Sequence, residues 1–158
     1  MRLDQKYQTL FKKNGINTPL RVAHFMAQLS HESGGFKYLK ELGNDAYFNK
    51  YDGRKDLGNI QKGDGLRFKG RGYIQITGRS NYTQLSKDLN IDFLNNPELL
   101  EQEANAILAS CWFWNKKGLN AYADKDDITT ITKRINGGVN GFEDRKHLLS
   151  EYKKLLLV

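Results

Sequence analysis

The chain contains two prolines, Pro19 and Pro97, and each stands at the front of an apolar-periodic segment. Proline has a fixed φ and no N–H, which suits the first turn of a helix and disrupts its interior, so both positions read as helix starts. After the first, Thr18 is placed to cap the helix, and Val22, Phe25, Met26 and Leu29 recur on one face until Gly34-Gly35 stops it. After the second, a run from Glu98 to Trp114 carries Leu100, Ala104, Ile107, Ala109, Cys111 and Trp114, a wide apolar face expected at the centre of the core. Shorter helices are expected over residues 3–13, 80–89, 128–135 and 142–156, the third entered through the acidic stretch Asp124 to Asp127.

Between the two proline-led helices the chain changes character. From Leu42 to Thr77 there are seven glycines, at 43, 53, 58, 63, 65, 70 and 72, a density that signals turns and loops. Only residues 72–77, with Tyr73, Ile74, Ile76 and Thr77, suggest a short strand. The expected fold is mainly α, one domain over residues 1–158, with a long loop-rich insertion and a very small β element; loops of such length in compact domains are usually functional. At 158 residues the chain can bury a core without disulfides, and its single cysteine, Cys111, lies in an apolar run where a buried, inert thiol is expected.

No stretch near Met1 reads as a signal peptide and no window is apolar enough to span a membrane, so synthesis in the cytoplasm without stable membrane insertion is expected. A net charge of +7 favours polyanionic partners, which include nucleic acids and the anionic bacterial wall. Basic residues are scattered and no nucleic-acid motif accompanies them, so no nucleic-acid partner is expected.

Glu32 continues the stripe of Val22, Phe25 and Leu29, a carboxylate where periodicity asks for an apolar side chain. Apolar surroundings disfavour the charged form and suit a general acid, whereas the plainer reading is a glutamate at a helix end turned to solvent. Glycoside hydrolysis needs a second carboxylate, as nucleophile or, at about 6.5–9.5 Å, as base on a water. Glu41 is the nearest in sequence, and Asp45, Asp52, Asp56 and Asp64 compete with it. A zinc-protease reading of His31-Glu32 fails because Gly35 stands where a second histidine is needed, and His24 and His147 complete no ligand pattern; no metal is expected. Gly70-Arg71-Gly72 lacks the spacing of a nucleotide loop, and no cofactor is expected.

The string from Ala27 to Phe36 (AQLSHESGGF) resembles the catalytic helix end of glycoside hydrolase family 19, the chitinases and their phage and bacterial endolysin relatives. Three further segments are similar to that family in the same order: Gly70 to Tyr82 (GRGYIQITGRSNY), Trp112-Phe113-Trp114, and Ile135 to Arg145 (INGGVNGFEDR). The resemblance implies a lysozyme-like, two-lobed helical fold with a cleft, and an inverting mechanism. By it Glu32 is the acid, Glu41 the base, and Thr77 holds the attacking water. It also implies that His31, Gln75, Asn81 and Asn136 contact the sugar and that Arg145 orients a carboxylate, although Arg145 also fits a simple helix-start ion pair. The short chain and lone cysteine are closer to the endolysin branch than to the secreted plant chitinases.

The expected function is therefore an endolysin-type, muramidase-like hydrolase of β-1,4 bonds in peptidoglycan, monomeric, released to the wall with the help of a holin. A chitinase with the same site is the first alternative. A non-catalytic wall-binding module is the alternative from another class, and its expected mark, loss of the acid, is not seen, since Glu32 is present.

Overall fold

Both proline-led starts are found, with different outcomes. A computed structural model describes residues 1–158. In order along the chain, the helices are α1 (Leu3–Lys6), α2 (Gln8–Lys13), α3 (Pro19–Glu32), α4 (Asp45–Asn49), α5 (Asp64–Arg67), α6 (Arg79–Leu89), α7 (Glu103–Lys116), α8 (Asn120–Asp124), α9 (Ile128–Asn136) and α10 (Phe142–Leu156), with 3-10 turns at Lys55–Leu57 and Pro97–Glu101. Pro19 opens α3, and the Thr18 hydroxyl accepts from the Arg21 N–H, as a cap should. Pro97 opens only the 3-10 turn, because Gln102 is extended (φ −77°, ψ 136°) and forces a new start at Glu103. Tyr7, at φ −110°, likewise splits the helix expected over residues 3–13 into α1 and α2.

The chain forms two compact units, Met1–Phe36 with Ser110–Val158, and Lys37–Ala109. In the first, every residue of α3 from Ala23 to Ser30 is buried. The apolar face expected on α7 is buried as well, at Ile107, Ala109, Cys111 and Trp114. Ala23 and Ala27, one turn apart, present a small-residue face on which Leu149 of α10 packs, flanked by Ile128, Leu148, Tyr152 and Leu156. Phe25 meets Phe11 edge-to-face at 5.1 Å and Trp114 at 5.3 Å, an arrangement aromatic rings prefer. The Trp114 indole N–H is satisfied by Asn120 Oδ1 at 2.8 Å. Cys111 is buried beside them, and burial pushes its thiol up to about 12, which leaves it protonated and inert at neutral pH.

The second unit is built on Phe48, Phe68, Tyr82, Leu85, Phe93 and Leu100. Its β element is smaller than the expected strand over residues 72–77. Single bridges pair Arg71 with Lys40 and with Ile76. Arg71 and Ile76 exchange backbone hydrogen bonds of 3.0 and 2.8 Å around a tight turn in which Gly72 (φ 83°) and Gln75 (φ 57°) are left-handed. Those two residues curl the segment, so Tyr73 and Ile74 are both buried in succession instead of alternating.

Candidate active site

In the first unit Glu32 is the last residue of α3, its side chain 24% exposed. Apolar surroundings, one of the two readings of its place on the stripe, are not found. Its Oε1 accepts at 2.7 Å from Nη2 of Arg145, a side chain only 1% exposed. The same guanidinium donates from Nη1 to Gln28 Oε1 at 2.5 Å and from Nε to the Asn140 carbonyl at 3.1 Å. Gln28 lies one turn before Glu32, so one planar fork bridges an i, i+4 pair on the same face of α3. Gln28 in turn donates to Thr132 Oγ1 on α9 at 3.3 Å. Glu32 Oε2 makes no hydrogen bond to the protein.

The preceding residue repeats the pattern. His31 Nδ1 lies 2.6 Å from Asp144 Oδ2, so consecutive residues of α3 are held by consecutive residues of α10. The imidazole also rests on Gly141, where a Cβ would come within 2.2 Å of His31 Cε1 and where φ is +72°; only glycine meets both conditions. Asn136 ends α9, exposed, with its Oδ1 accepting from the Asn140 N–H at 3.3 Å. Glu32, His31, Arg145 and Asn136 are thus gathered through the 136–145 segment, with Gln28 and Asp144 as partners that the sequence did not single out. A polar Gln28 one turn before Glu32 on a buried face was the available signal for a polar partner.

The second unit gathers the other candidates around Gly70. Glu41 N–H donates to the Gly70 carbonyl at 2.7 Å, and Glu41 Oε1 accepts from the Gly70 N–H at 3.3 Å. A Cβ on Gly70 would lie 2.5 Å from Gln75 Oε1 and 3.2 Å from Glu41 Oε1, so the bare backbone there lets both side chains close in. Glu41 Oε2 accepts from the Tyr47 hydroxyl at 3.3 Å. That phenol is pushed up to about 12, first by its hydrogen bond with Tyr51 and then by the nearby charges including Glu41, so it remains a donor. Thr77 Oγ1 donates to the Gln75 carbonyl at 3.1 Å, and Asn81 Nδ2 donates to the Thr77 carbonyl at 2.9 Å.

The aspartates that competed with Glu41 have other tasks. Asp52 accepts from the N–H groups of Gly63 and Gly65 at 2.9 and 2.8 Å. Asp64 is buried, takes both Arg79 and the N–H groups of Ile60 and Gln61, and is held down at about 2, chiefly by Arg79. Asp56 pairs with Arg54. Asp45 is exposed in the first turn of α4, away from these bonds. His24 is buried against Asp126, and no group of metal-binding side chains is assembled.

The family model described as "Chitinase class I", for glycosyl hydrolase family 19, matches residues 11–137. A Haemophilus influenzae protein described as glycosyl hydrolase family 19 domain-containing is 31% identical, over 97% of this chain and 87% of its own length. An endochitinase of Arabidopsis thaliana is 33% identical over 74% of this chain but only 39% of its own. Among solved structures, chitinase C from Streptomyces griseus superposes with a TM-score of 0.71 at 27% identity, covering 87% of this chain and 60% of that one. The chain therefore spans less than half of that Arabidopsis endochitinase and 60% of that Streptomyces chitinase.

Proposed function

The chain belongs to glycoside hydrolase family 19 and has its mainly helical, lysozyme-like fold, and from that premise we propose that it hydrolyses β-1,4 bonds of bacterial peptidoglycan with inversion, as an endolysin does. Glu32 gives its proton from Oε2 to the glycosidic oxygen as the bond to the anomeric carbon breaks. A water attacks that carbon from the opposite face and passes a proton to Glu41. The attacking water has two hydrogens to place. One goes to Glu41, and the other is accepted by Thr77 Oγ1, whose own hydrogen is occupied by the Gln75 carbonyl. Gln75, Asn81, Asn136 and His31 offer the directional donors and acceptors that a sugar's acetamido and hydroxyl groups need.

The observation that carries this reading is the double clasp of α3 by α10, with Asp144 on His31 and Arg145 on Glu32, which fixes the carboxyl group by Oε1 and leaves Oε2 to act. The basic surface, +7 overall, supports an anionic wall polymer as substrate. The second reading is chitin hydrolysis, favoured by the plant and Streptomyces relatives named as chitinases. Monomeric action after release through a holin-type lesion completes the proposal. Proton NMR of the first products from a chito-oligosaccharide or a soluble peptidoglycan fragment tests the mechanism. The α-anomer should appear first and mutarotate afterwards; an initial β-anomer would contradict Glu41 as a base.

A further inference from the structure

Three cations in the second unit take no part in the chemistry above. Lys62, Arg67 and Arg79 line a polar cavity of about 530 Å³ together with Gln61, Asp64 and Asn95. Asp64 is the single carboxylate in that lining, and it is already paired: Arg79 donates to its Oδ2 from Nε at 2.9 Å and to its Oδ1 from Nη2 at 2.8 Å, and two backbone N–H groups also donate to Oδ2. Arg67 spends Nε and Nη2 on the Leu94 carbonyl, at 3.2 and 2.7 Å, and has no carboxylate within ion-pair distance. The two guanidiniums lie against the same ring, Phe68, at 5.6 and 5.0 Å from its centroid. Lys62 has neither a carboxylate nor a hydrogen-bond acceptor.

Both arginines are thus fixed in orientation by acceptors on one edge, while Nη1 of each makes no hydrogen bond to the rest of the chain. Fixed donors lose little freedom on binding, and the repulsion of neighbouring like charges is relieved by an anion placed among them. Asp92, a carboxylate outside the lining on which the charge of Arg67 acts, is already engaged by the Asn95 backbone and side chain at 3.0 and 2.8 Å. We propose that this cavity is an anion-binding subsite that takes an oxyanion group, phosphate or carboxylate, carried on the wall polymer. The cavity is far larger than a lone phosphate ion, which fits an anionic group borne on a larger molecule. The identity of that carrier rests on the peptidoglycan reading; the anion site itself does not.

The test uses the whole chain and two probes, inorganic phosphate and an N-acetylated dipeptide with a free C-terminal carboxylate, followed by 15N-1H NMR at the Arg67 and Arg79 Nε–H and the Lys62, Gly63 and Asn95 amides. Saturable shifts at these groups with one probe, weakened about tenfold or more in Lys62→Glu/Arg67→Gln, establish the site and tell phosphate from carboxylate. Lys62→Glu alone, at an exposed position, should also weaken binding, which covers the case of a double variant that folds poorly. Cleavage of an uncharged chito-oligosaccharide should be unchanged in both variants. Absence of saturable shifts with either probe, or shifts that persist equally in the variants, overturns the proposal. Because binding is read without turnover, an inactive wild type would count against the hydrolase reading and leave the anion site standing.

Discussion

Arg145 carries three hydrogen bonds from a buried position, and the carboxylate of Glu32 is the only opposite charge it meets. Removing that carboxylate's length leaves a buried guanidinium uncompensated, so Glu32→Ala should cost about 3 kcal/mol, the low end for a broken buried pair because Glu32 is partly exposed. Glu32→Gln keeps an acceptor for Nη2 and should fold with a melting temperature within a few degrees of wild type while losing nearly all turnover; chemical denaturation beside an activity assay separates the two effects. Substantial turnover in that variant would remove Glu32 from the mechanism. Thr77→Ala should lower kcat far more than it raises KM, because the water it holds matters in the transition state. An effect confined to KM would make the hydroxyl a sugar contact instead. At this scale the sequence singled out Glu32 as a candidate by its place on a stripe, but not its surroundings. Arg145 is 113 residues away and reachable only by resemblance, and periodicity left open whether Glu32 meets apolar neighbours or solvent; in the structure it is partly exposed and meets the guanidinium that Gln28 on the same face also holds.

Elements decide how closely these side chains approach. Gly70 sits where the backbone of one short segment must touch Glu41 and Gln75 at once, so Gly70→Ala should displace both, cutting activity by well over tenfold with a stability loss of about 1–3 kcal/mol as for other overpacked sites. Normal activity in that variant would mean that the close packing of Glu41 and Gln75 is incidental. Helix starts marked by Pro19 with Thr18, and by Asp127, which caps α9 through the Thr130 N–H, could be read directly because capping is local chemistry. The breaks at Tyr7 and Gln102 were not, since neither residue type forbids a helix and tertiary packing chose the break. The expected strand failed for a related reason: Gln75 has no sequence mark for a left-handed φ, yet the turn that aims its side chain at Gly70 requires one.

Across the whole molecule, buried charge sets the pH response. His24 is held below the usual histidine value of about 6.5, mainly by burial, against the opposing pull of Asp126; Lys153 adds to the lowering and Asp127 opposes it. Above that value the imidazole is neutral in both folded and unfolded chains, and its full contribution is present. As the pH falls below it, the unfolded chain takes up a proton that the folded chain resists, so stability falls until the folded value is passed. Denaturation midpoints should therefore drop between pH 7 and 5, and His24→Gln should flatten the drop; an unchanged slope would place the transition elsewhere. The mainly helical fold was legible from periodicity and caps, whereas the division into two units, one of them assembled from both ends of the chain, was not, because it rests on contacts of long sequence separation. The most direct measurement is to incubate wild type and Glu32→Gln separately with purified peptidoglycan and colloidal chitin, reduce the products with borohydride and identify the new ends by mass spectrometry. Reduced muramic-acid ends from wild type alone are the predicted result; reduced glucosamine-type ends would shift the specificity to that of a chitinase or glucosaminidase, and no new ends from either polymer would contradict hydrolysis itself.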